Sequence, residues 1–188
     1  VMRQRNPTND MRCMMVGPTE SPNLIDTLLA YAEERGVSGW VQIVQDCNDI
    51  PAAYMITDVA VSASIDPEAF GRVVAEAQAM GRPVVAPAHG AAPEIIEPGV
   101  TGWLFTPRDP VSLADAMERA LNLTQTEREK LATRAMDRVA GGDLSAEAPH
   151  RSRDDEIGRM AEALSKFREN AHKRAALEAE QRAIDDRQ

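Results

Sequence analysis

Gly81-Arg82-Pro83 sets a helix stop directly against Val84-Val85-Ala86, a run with no polar residue at all. A strand wetted on one face alternates apolar and polar residues, whereas one covered on both faces reads as an unbroken apolar run. The segment before it, Gly71–Met80, puts Val73, Val74 and Ala77 on one helical face, fit to lie on a sheet. Similar units recur up to about Val139. Strands are expected at Arg12–Val16, Val41–Gln45, Val59–Ser62, Pro83–Ala86 and Gly102–Phe105. Helices are expected at Leu24–Arg35, Ile50–Ile56, Gly71–Met80, Ala92–Ile96, Val111–Asn122 and Thr126–Val139. Short apolar runs alternating with amphipathic segments define an α/β fold, a parallel sheet covered by helices. Gly36, Gly81 and Gly99 read as helix stops, and Thr126 with Glu129 has capping-box spacing.

Charge narrows the partners. A formal net charge of −9 has the wrong sign for a phosphate backbone, so no nucleic-acid surface is expected. Cys13 and Cys47 have neither zinc spacing nor a disulfide framework, which fits a reducing, cytoplasmic setting; Cys13 reads as a small buried hydrophobe. No stretch approaches the roughly 18 consecutive apolar residues of a membrane span. The first ten residues are polar, with Arg3, Arg5 and Pro7, and do not read as a signal peptide. No His, Asp, Glu and Cys cluster has metal-site spacing, so no metal is expected.

After Ala140-Gly141-Gly142 the character changes. A polar connector over 141–154 leads into a long helix over 155–188. Ile157, Met160, Leu164, Phe167 and Ala171 fall three and four residues apart, a coiled-coil seam, and Leu177 and Ile184 continue it in shifted phase. Charges hold the other faces, so this helix is expected to need a partner, with a homodimer the natural candidate.

Chemistry concentrates in Pro67-Glu68-Ala69-Phe70-Gly71 and the helix that follows, with Glu76 inside it. The helix N-terminus beside them offers free N–H groups and a partial positive charge, which suits an anionic ligand. The whole block from Pro67 to Ala86 resembles the donor-binding signature of family-4 glycosyltransferases, the retaining enzymes of the GT-B fold. The resemblance extends to Val16-Gly17-Pro18, Asp49-Ile50-Pro51-Ala52-Ala53-Tyr54, Ser62-Ala63-Ser64, His89-Gly90-Ala91-Ala92-Pro93-Glu94 and Gly99–Phe105. It implies a Rossmann-like donor domain, half of a GT-B fold, and a nucleotide diphosphate sugar as donor substrate with no cofactor. Glu76 would accept hydrogen bonds from the ribose. Glu68, the catalytic candidate, would lie at the transferred hexose, with backbone groups of Phe70 and Gly71 beside it. Ile50 would lie near the nucleobase, and the His89-Gly90 loop near the diphosphate. Taken alone, a single loop histidine is better read as satisfied by local hydrogen bonds.

The resemblance is incomplete. The family's acceptor-binding domain and the Gly-Arg-Leu and Lys-Gly phosphate clamp are not matched, and Arg3 and Arg5 do not sit in such a motif. The chain by itself is therefore expected to be inactive.

A second resemblance covers the C-terminal block. Ala135–Pro149, with Gly142-Asp143-Leu144, and Asp155-Glu156-Ile157-Gly158 through Leu164 resemble a HAMP signalling module, two helices joined by an extended connector. The expected domains are 1–139 (donor-binding, incomplete) and 135–188 (HAMP-like). Three functions stay open: hexose transfer to a glycan or lipid-linked acceptor, a signalling and dimerisation module, or a non-functional join of two gene fragments.

Overall fold

The computed structural model describes residues 1–6, 10–18, 21 and 23–141. The connector, the seam from Ile157 to Ile184 and most of the HAMP-like segment lie outside the described residues. The chain divides into two compact units, Val1–Ile56 and one from Thr57 onward.

The first unit opens with a short helix α1 (Met2–Arg5). It continues through β1 (Cys13–Val16), α2 (Leu24–Glu34), a 3₁₀ turn at Ser38–Trp40, β2 (Val41–Val44) and α3 (Ile50–Met55). β1 and β2 pair in parallel with Cys13 opposite Val41 and Val16 opposite Val44, and α2 packs against β2. Asp49 caps α3, its Oδ1 accepting the Ala52 N–H at 2.9 Å. In α2 only Ala32 is buried. Cys13 differs from its sequence reading: it is exposed. A pair of strands has too few neighbours to enclose both faces, so an apolar run there does not guarantee burial.

The second unit carries the main core. β3 (Ala60–Val61), β4 (Val84–Pro87) and β5 (Trp103–Phe105) form a parallel sheet in the order β3-β4-β5. All four residues of β4 are buried, as an unbroken apolar run in a central strand requires. α4 (Arg72–Ala79) crosses from β3 to β4 and packs on both strands, with Val74 and Ala77 buried. α5 (Ala92–Ile95) leads to β5. α6 (Pro110–Leu121) and α7 (Gln125–Gly141) join Val85, Trp103 and Phe105 in one cluster through Ala116, Ala120, Leu131 and Ala135. The alanines let the helix backbones come close to the large side chains of the sheet.

Two further contacts tie this layer together. Gln78, fully buried on α4, donates from Nε2 to the Thr101 hydroxyl at 3.0 Å and to its carbonyl at 3.2 Å. Arg138 on α7 donates to the carbonyls of Ile95 at 2.8 Å and Glu94 at 3.0 Å, groups that end α5, and its guanidinium lies 3.8 Å from Glu97.

Two punctuation marks fall elsewhere than expected. The capping box of α7 is Thr124 with Glu127, not Thr126 with Glu129: Glu127 Oε2 accepts from Thr124 N at 2.9 Å and from its hydroxyl at 2.7 Å. The Thr124 hydroxyl in turn accepts the Glu127 N–H at 3.3 Å. The helix starts at Gln125, so the pair one position before and three positions inside it serves as the box. Gly99 does not stop a helix; it closes the turn that leads into β5, donating to the Gly102 carbonyl at 2.8 Å. Gly36 and Gly81 follow α2 and α4 at φ +63° and +66°, the left-handed geometry of helix stops.

Candidate active site

An open hollow of about 210 Å³ lies at the carboxyl ends of β3 and β4, where a parallel sheet presents its loops to ligands. Its polar lining is Ser62, Ser64, Glu68 and His89; Val74, Pro87 and Ala92 supply apolar surface, and Gly71 completes it. Ser62 directly follows β3, and His89 stands two residues past the end of β4. All eight residues belong to the second unit.

Glu68 is fixed in three ways. Its carbonyl accepts the Ala91 N–H at 2.9 Å. Gly90 lies flat on its backbone, so close that a Cβ there would come within 2.5 Å of the Glu68 oxygen. Its carboxylate accepts a hydrogen bond from the Ser64 hydroxyl, and among the described residues no ion pair reaches it. An acceptor-only group with its charge left unpaired is suited to hydroxyl donors.

Gly71 starts α4 at φ +54°, and a Cβ on it would strike Ile95 Cδ1 at 2.8 Å. The left-handed φ favours glycine, and a side chain there would also have to push the end of Ile95 aside. Among the described residues no side chain caps α4, so its first N–H groups and their partial positive charge remain at this end of the hollow.

Both ring nitrogens of His89 are enclosed, and neither has a hydrogen-bond partner among the described residues. The local hydrogen bonds expected of a loop histidine are therefore not made, because the loop satisfies itself through its backbone, His89 N–H to the Pro87 carbonyl at 2.8 Å among others. Unpaired enclosed polar atoms are rare in native proteins, and these belong to a side chain that lines the hollow.

Of the residues singled out in the sequence, Glu68, Gly71 and His89 thus line one hollow, backed by Gly90. Glu76 and Phe70 do not line it. Glu76, about a third exposed, pairs with Arg72 at 3.4 Å one turn earlier on α4, and Phe70 is exposed. Ile50 begins α3 in the first unit. Ser62 and Ser64 were not singled out for chemistry. The available signal is a pair of small hydroxyl residues just after a strand, Ser64 four positions before a candidate carboxylate.

Comparisons with known proteins give the family and the fold. The family described as "Glycosyl transferases group 1" matches residues 2–138, and the HAMP domain matches residues 130–173. The D-inositol 3-phosphate glycosyltransferase of Corynebacterium diphtheriae is 31% identical over 150 residues, which span 78% of this chain and 35% of that enzyme. A glycosyltransferase structure from Rickettsia africae superposes with a TM-score of 0.71 at 26% identity, covering 88% of this chain and 42% of the other. HepE of Anabaena, solved with UDP-glucose, has the same fold at a TM-score of 0.64 and 23% identity, covering 88% and 40%. The fold is a Rossmann-like half of a GT-B architecture. The chain belongs to the group 1 glycosyl transferases. It spans about a third of the length of the curated relatives it matches.

Proposed function

We propose that this chain is the donor-binding half of a retaining glycosyltransferase. It takes a nucleoside diphosphate sugar at the β3 and β4 loops, and the complete enzyme transfers the hexose to a glycan or lipid-linked acceptor. The observation that carries this reading is the hollow itself: Glu68, held at its backbone by Gly90 and Ala91, shares it with a histidine whose ring nitrogens are unpartnered. In this reading Glu68 accepts hydrogen bonds from sugar hydroxyls. The start of α4 faces the diphosphate, where its N–H dipoles favour negative charge. His89 supplies a ring N–H to a phosphate oxygen as charge builds on the leaving group. Glu76 takes the ribose hydroxyls, from outside the hollow's lining.

The hollow is shallow and open, so it holds only part of such a donor. HepE carries UDP-glucose in its crystal, which makes that donor the first probe. Calorimetry of the 188-residue chain with UDP-glucose and UDP should give saturable binding that is weakened by His89→Ala. No binding of either ligand, nor of the corresponding ADP and GDP sugars, would remove this reading and favour a join of two fragments.

The HAMP match favours a second reading for the C-terminal part, a dimerising signal module over 135–188 beside a donor-binding domain over 1–139. Sedimentation of the full chain checks it: a dimer that Leu164→Asp converts to a monomer supports it, and a monomer at high protein concentration removes it.

A further inference from the structure

We infer that Ser64 is a positioning residue whose task is to aim the Glu68 carboxylate at the hydroxyl-bearing end of the ligand. The inference deepens the donor-binding reading and rests on it.

The argument starts from what each contact holds. The Glu68 backbone is secured by the Ala91 N–H and by the close approach of Gly90, both from the loop after β4. Neither contact constrains the side chain beyond Cα, and a glutamate has three torsions free to wander. Among the described residues, the Ser64 hydroxyl is the one group hydrogen-bonded to that carboxylate. Ser64 therefore contributes orientation, while the other loop anchors the chain.

The chemistry of the pair also assigns a ligand end. Ser64 donates its single proton to Oε1, which leaves Oε2 and the remaining lone pairs of Oε1 as acceptors. Among the described residues no Lys or Arg lines the hollow to neutralise the charge. A phosphate next to an uncompensated carboxylate is repelled, whereas a hydroxyl is attracted and donates to it. The Ser64–Glu68 pair thus belongs to the sugar end of the donor and has no role toward the nucleotide alone.

The test uses the full chain with UDP-glucose and UDP as separate probes, both read by calorimetry. Ser64→Ala should weaken UDP-glucose about tenfold, the range for losing order at one charge-assisted hydrogen bond, and leave UDP within about twofold. Ser64→Thr, which keeps the hydroxyl, should restore most of the loss. In a Glu68→Ala background, Ser64→Ala should have no further effect, because the group it aims is gone. Equal losses for both probes would make Ser64 a loop-folding residue and overturn the inference, as would an undiminished Ser64→Ala effect without Glu68. Failure of the wild-type chain to bind UDP-glucose would instead overturn the donor-binding reading, and this inference with it.

Discussion

Gly90 lies against Glu68 so closely that a Cβ at position 90 would come within 2.5 Å of the Glu68 carbonyl oxygen and 2.7 Å of its nitrogen. Both atoms are backbone and cannot swing aside. Gly90 also has φ +59°, where any side chain is strained. Gly90→Ala should therefore cost about 2 kcal/mol or more, and the loop must lift away from Glu68. Thermal unfolding and UDP-glucose binding should both suffer. A variant that melts like the parent and binds as well would show that the two loops are not locked together.

The two carboxylates should separate by probe. Ribose hydroxyls are common to UDP and UDP-glucose, while the sugar occurs only in the second. Glu76→Ala should weaken both ligands, and Glu68→Ala should weaken UDP-glucose with UDP nearly unchanged. Each loss should be about 1.5–3 kcal/mol, the worth of a hydrogen bond to a charged group. The Arg72–Glu76 pair is an i,i+4 contact on a largely exposed helix face and adds only about 0.3–0.5 kcal/mol of stability. Melting temperature measured beside binding separates a loss of folding from a loss of contact with the ribose. Equal effects of the two substitutions on UDP would sink the division of roles.

Glycosyl transfer by this chain alone should be undetectable with labelled UDP-glucose. Departure of a diphosphate needs cationic support, and the residues that line the hollow include no Lys or Arg. Removal of one such stabilising donor commonly costs about 100-fold or more in rate. Transfer abolished by Glu68→Ala would prove the expectation wrong and make the chain a working enzyme.

Most of the fold was legible because the second unit obeys simple periodicity. Val84-Val85-Ala86 reads as a doubly buried strand, and α4 places Val74 and Ala77 on the face its spacing implies. Periodicity fails where burial depends on distant neighbours, as at Cys13 on a two-stranded sheet. It also cannot choose between two capping boxes two residues apart, because Thr124 and Thr126 each have a glutamate three positions on. In the site, the resemblance pointed to Glu68, His89 and Gly90. Their mutual packing comes from two loops that α4 and β4 separate in sequence, and no local signal carries that. Ser64 carries no local signal of its own: a serine in a loop has many uses, and only its geometry selects one.

Arg138 joins α7 to the end of α5. Its guanidinium serves the carbonyls of Glu94 and Ile95, the orphan acceptors at the end of α5, and lies near Glu97. Arg138→Ala should lower stability by about 1–2 kcal/mol, and Arg138→Lys should recover little, because one ammonium cannot span both carbonyls. Denaturant titration of the chain checks this; equal midpoints for parent and Arg138→Ala would show that α5 holds its own end.

The start of α7 should be acid-sensitive. Hydrogen bonds from the Thr124 hydroxyl and N–H hold the Glu127 carboxyl below the usual carboxylate range, since both favour its charged form. A group whose folded pKa is depressed binds protons more weakly when folded than when unfolded. Its stabilising effect is therefore complete above the ordinary glutamate range and fades as pH falls through that range toward the folded value. Glu127→Gln should destabilise the chain at neutral pH and match the parent in strong acid, and amide exchange at Thr124 and Glu127 should quicken in step. A parent-to-variant gap that stays constant on acidification would show that the carboxylate charge plays no part in capping α7.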